Sequence, residues 1–104
     1  DLEKYYPQLF KQHKAYMRAE TEDVLVRFLQ KGIEEGIFRQ EIDVKIVAMV
    51  FIDIQYRLME IMSKGEKSRE EILRIGQQGM DILVRGILSE NGLLRLREKV
   101  KNNI

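Results

Sequence analysis

A chain of 104 residues, 44% hydrophobic, 8% aromatic and 34% charged, has room for one domain with one small core. It is too apolar for disorder and too often interrupted by charge to span a membrane. Eighteen Lys and Arg against 17 Asp and Glu leave a net charge of +1, so no excess of cations is present to neutralise a phosphate backbone, and nucleic acid is excluded as the obvious direct partner. Without cysteine the chain has no disulfide, thiolate nucleophile or zinc-thiolate site, and its composition fits a reducing cytoplasm. It starts at Asp1 with no signal-peptide pattern, which reads as a fragment of a longer cytoplasmic protein.

Pro7, the only proline, suits the first turn of a helix, where its absent N–H would have no partner. From there to Glu35 the apolar residues Phe10, Met17, Val24 and Phe28 recur at helical spacing, with Leu25 and Leu29 one step around the cylinder. Gly36 is placed to cap this long amphipathic helix, and Ile37 to Ile42 reads as an irregular connection. Asp43 caps a second helix, with Ile42 and Val47 spaced as a hydrophobic staple, running to about Ser63 before a stop at Lys64-Gly65. Ser68 and Glu71 form a capping box for a third helix that extends to about Glu90. Asn91-Gly92 then predicts a turn, followed by a short basic helix with Leu93, Leu96 and Val100 on one face, fraying at Asn102 and Asn103. No segment alternates like a strand.

The second and third helices carry more apolar surface than three helices can hide. On a wheel, Val44, Val47, Phe51, Ile52, Ile54, Tyr56, Leu58 and Met62 spread the second helix's oily arc over about 200°, and the third repeats the width from Ile72 and Ile75 through Ile82 to Ile87. Gly76, Gly79 and Gly86 fall within that arc, each costing about 1 kcal/mol relative to alanine inside a helix. Close approach of another backbone would compensate. The predicted fold is therefore all-α: three long helices plus a short C-terminal one, forming a single domain over residues 1–104 and dimerising through an antiparallel four-helix bundle. The expected interface comprises Ile52, Tyr56, Ile75, Gly79, Ile82 and Gly86. Packing within one chain is the other reading of the glycines.

Chemistry is sparse. Three residues before His13, the single histidine, stands Phe10, so the Glu-x-x-His pairs of a di-iron bundle cannot form. No Cys/His spacing, phosphate loop, dinucleotide fingerprint or nucleophile elbow occurs, so neither a metal nor a cofactor nor an enzymatic activity is expected. Glu20, Glu22 and Asp23 read as a solvated helix face. Gln55 stands out near the middle of an apolar arc, where an unpaired buried amide would cost about 1–3 kcal/mol. It either bonds across the core or dimer or lines a ligand cavity. His13 and Thr21 border the stripe of Phe10, Met17, Val24 and Phe28, and these polar edges on an oily surface suit a binding cavity or an ordinary core with an exposed edge. The candidate ligand-binding residues are Phe10, His13, Met17, Thr21, Phe28, Gln55 and Met59.

Gly32-Ile33-Glu34-Glu35-Gly36-Ile37-Phe38-Arg39, then Ile42-Asp43 and a long apolar helix, then Arg85-Gly86-Ile87-Leu88 resemble the C-terminal regulatory domain of TetR-family transcriptional repressors. Tyr5-Tyr6-Pro7 resembles the start of that domain's first long helix. The resemblance implies an all-α domain that dimerises through its last two long helices and senses a small, largely apolar effector, releasing DNA through an N-terminal helix-turn-helix that has no counterpart in these residues. A helical interaction module without a small-molecule ligand is the alternative; it predicts filled interiors, whereas the regulator predicts a cavity of about 300 Å³ or more.

Overall fold

The computed structural model describes the backbone of residues 2–5 and 7–102; the side chains of Leu2, Glu3 and Phe10 lie outside that description. Its elements are α1 (Leu2–Tyr5), α2 (Pro7–Glu34), α3 (Val44–Lys64), α4 (Arg69–Ile87) and α5 (Glu90–Asn102). The fold is all-helical, with three long helices and a shorter last one. Its only extended pairing among the described residues is an isolated antiparallel bridge between Phe38 and Leu88. No described helix is long and apolar enough to cross a membrane.

The helix ends follow the local chemistry of the sequence. Gly36 takes φ 74°, which lets Ile37 N–H reach the Gly32 carbonyl at 2.8 Å and Gly36 N–H reach that of Ile33 at 3.0 Å. This pair of bonds satisfies carbonyls that α2 would otherwise leave open. Asp43 Oδ1 accepts from the N–H groups of Lys45 and Ile46 at 3.0 and 3.3 Å, and Gly65 closes α3 at φ 65°. Ser68 Oγ accepts from Glu71 N–H at 3.1 Å. The second half of the box differs from expectation: the Glu71 carboxylate takes the Ser68 hydroxyl at 3.3 Å, not the Ser68 backbone N–H.

The end of α4 also differs. It stops at Ile87, short of Glu90, because Leu88 turns extended (φ −69°, ψ 139°) to pair with the 37–39 segment. Arg39 N–H donates to the Ile87 carbonyl and Ser89 N–H to that of Ile37, both at 2.8 Å. These bonds replace the next turn of helix. Asn91-Gly92 is consequently not a turn but the first turn of α5, capped by Ser89 Oγ, which accepts from Gly92 N–H at 3.0 Å. Gly92 is required there: a Cβ would overlap the Ile37 carbonyl oxygen and stand 2.9 Å from Leu88 Cδ2. Fraying at Asn103 lies outside the described residues; α5 runs to Asn102.

The core gathers at this junction. Leu29, Phe38, Ala48, Ile87 and Leu88 are buried together, flanked by half-buried Leu25, Val26, Val47, Phe51, Val84 and Leu93. Gly32 admits Phe38, whose ring occupies the space a Cβ would need. Away from the junction much of the apolar surface is uncovered. The chain extends 50 × 31 × 19 Å and exposes 8644 Å², roughly 2,500 Å² more than a compact monomer of its mass. The wide arcs are thus only partly covered: Ile75, Ile82 and Leu73 of α4 remain 40%, 73% and 53% exposed.

Candidate functional site

The antiparallel pairing of α2 with α3 follows from the tight junction at one end, where Leu29 and Ala48 are buried, and continues outward to an ion pair between Arg18 and Asp53. Between these points lies a groove of about 360 Å³. From α2 come Met17, Thr21 and Leu25, a four-residue ridge; from α3 come Phe51, Gln55 and Met59 on a second such ridge, joined by Ile52 and Tyr56. Leu25 and Phe51 close the inner end against the core. Met17 and Met59, 47% and 60% exposed, leave the long side open.

Of the candidate ligand-binding residues, Met17, Thr21, Gln55 and Met59 meet in this groove. His13 is exposed and does not line it. Phe28 is also elsewhere: its ring, 61% exposed, meets the Phe38 ring edge-on with centroids 5.8 Å apart. The Phe10 side chain lies outside the described residues. Gln55 is exposed and, among the described residues, makes no hydrogen bond, because the middle of its arc faces the open groove, where water can satisfy the amide.

The expected interface residues fall on different surfaces. Ile75 and Ile82 are exposed on α4, and, among the described residues and apart from the local helix backbone, Gly79 and Gly86 have no atom within 4 Å of a Cβ built on them. Gly76 has an internal neighbour instead, Leu58 Cδ1 of α3 at 3.5 Å. Ile52 and Tyr56 line the groove, and Ile52 is 3% exposed; neither belongs to the uncovered α4 surface. Four groove residues, Leu25, Phe51, Ile52 and Tyr56, were not among the ligand candidates. Phe51 and Ile52 precede Gln55 by four and three residues, so the helical ridge through Gln55 is the signal for those two, and Leu25 continues the α2 ridge of Met17 and Thr21.

Two cations gather at the Tyr56 ring. Lys14 Nζ lies 5.3 Å and Arg18 Cζ 5.2 Å from the centre of the Tyr56 ring. Arg18 also donates to Asp53, while Lys14 has no carboxylate partner among the described residues. Nearby, Tyr16 donates to Glu20 at 2.7 Å, which raises the phenol's pKa from its ordinary 10.0. Thr21 Oγ1 donates to the Met17 carbonyl at 2.9 Å, so its lone pairs remain available as acceptors. Among the described residues the groove lining contains no carboxylate or imidazole. It offers apolar contact, one free amide and a cationic rim: a surface equipped to bind. No protein-family model, no curated protein and no solved structure matches the chain.

Proposed function

We propose that these residues form the effector-sensing and dimerisation domain of a TetR-type transcriptional repressor, a binding rather than a catalytic unit, acting on DNA through a helix-turn-helix module of the same polypeptide. The observation that carries this reading is the double duty of α3: one side lines the α2 groove through Phe51, Gln55 and Met59, while Leu58 holds α4 at Gly76. A ligand wedged between α2 and α3 would bear on α4, whose Ile75 and Ile82 await a partner surface. A second copy, contributing its own α3 and α4 to an antiparallel four-helix bundle, suits the unspent area, since a standard interface covers about 800 Å² per partner and obligate dimers cover more. The ligand then shifts a population between two packings and changes the separation of the DNA-reading heads, provided it binds the two packings unequally.

The absence of cysteine allows a clean test. A single spin label at Gln12→Cys, exposed on α2, reports the distance between copies. The reading predicts a defined inter-copy distance that shifts when Thr21→Trp fills the groove. No inter-copy signal, or a distribution indifferent to the filling, would overturn it in favour of an interaction module without an effector.

A further inference from the structure

Resting on the reading of this groove as an effector site, we infer that its ligand is an anionic amphiphile, an oily body bearing one carboxylate-like head. The groove is polar in direction. Its inner end is closed by Leu25 and Phe51, which pack on the core, and an apolar tail placed there leaves water entirely. Beside its outer end Lys14 and Arg18, which do not themselves line it, stand four residues apart on α2, both about 5 Å from the ring of Tyr56, which does. Two cations gathered at one ring repel one another, and among the described residues the one ion pair that either makes is Arg18 with Asp53.

Among the described residues Lys14 is therefore left without a carboxylate beside a groove whose lining has no acid. An anionic head beside Lys14 and Arg18 neutralises that lysine, and the Gln55 amide of the same groove is a further donor. A cationic amphiphile is disfavoured by the same geometry. Tyr56 is the one lining ring at the mouth that could cradle a quaternary ammonium, and two side-chain cations already occupy its surroundings. A neutral ligand would fill the oily end but leave the rim charge unanswered.

The test titrates the 104-residue chain, labelled with ¹³C at the methionine methyls, with three probes of equal tail length below their micelle thresholds: decanoate, decan-1-ol and decyltrimethylammonium. Met17 and Met59 line the groove and Met80 does not, so shifts confined to the first two locate binding. The expected result is decanoate bound about tenfold more tightly than either other probe, with the preference declining as salt is added. Lys14→Gln combined with Arg18→Gln should erase the preference while leaving decan-1-ol binding unchanged. Should that variant lose its helical circular dichroism, Lys14→Gln alone, which breaks no ion pair, should still reduce the preference. Equal or tighter binding of the alcohol or the ammonium, with shifts at Met17 and Met59, would overturn the anion assignment yet leave the groove an effector site. If no probe moves those two methyls, the effector reading falls as well.

Discussion

Ser89 donates its hydroxyl to the main chain 53 residues earlier, bridging the carbonyls of Gly36 and Ile37, and accepts the Gly92 N–H with the same oxygen. One side chain thus ties the corner between α2 and α3 to the start of α5. Ser89→Ala would remove an N-cap and leave the Gly36 carbonyl short of a donor, while Ile37 keeps the Ser89 N–H, a loss of about 1–3 kcal/mol in urea unfolding. Threonine, retaining the hydroxyl, should restore most of it.

Gly92 and Gly79 should respond oppositely to alanine, although both sit inside helices. At Gly92 a Cβ meets the Ile37 carbonyl oxygen, and overpacking against rigid backbone costs about 1–3 kcal/mol, more than the helix-propensity gain. At Gly79 a Cβ meets nothing within 4 Å beyond the local helix backbone among the described residues, so alanine should stabilise the isolated chain by up to about 1 kcal/mol. Thermal unfolding of the two variants at low protein concentration checks the contrast.

Ile82 is the most exposed large apolar residue of α4 at 73%. Ile82→Glu should alter the stability of a single chain by no more than about 0.5 kcal/mol while abolishing self-association in sedimentation. Gly79→Leu should likewise weaken association, because a bulky side chain separates helix backbones that approach at a glycine. If both variants sediment as the unaltered chain does, this face is not the interface.

Glu41 supplies a pH dependence. Its own backbone N–H and then the Arg39 side chain, at 2.7 Å, hold its carboxyl below the ordinary 4.5. A group with a lowered folded pKa stabilises the fold above its unfolded value and loses that contribution as pH falls through the folded value. Arg39 also donates to the Gly86 carbonyl at 2.8 Å, so protonating Glu41 should loosen the Phe38–Leu88 bridge. Amide exchange at Arg39 and Ser89 should accelerate below pH 4.5 relative to a Glu41→Gln control, in which the pH effect vanishes; equal profiles for the two proteins would contradict this.

Much of the fold was legible in the sequence because its helix ends are written in short-range chemistry: Pro7, Gly36, Asp43, Gly65 and Ser68 each act on residues within four positions. The end of α4 was not, since Leu88 leaves the helix to satisfy Phe38, fifty residues away along the chain, and Asn-Gly looks the same in a turn as in the first turn of a helix. Half of the groove was legible through Met17, Thr21, Gln55 and Met59. Ile52 and Tyr56 lie on the same broad arc as interface candidates, and helical periodicity alone does not say which edge of an arc faces which neighbour.

The central claim is that the uncovered apolar surface of α4 belongs against a second copy, and sedimentation equilibrium of the 104-residue chain tests it most directly. Concentration-dependent formation of a species of twice 12.3 kDa, lost on Ile82→Glu, is the predicted result. A single species of 12.3 kDa at every concentration, folded and with Ile75 and Ile82 in water, would contradict it.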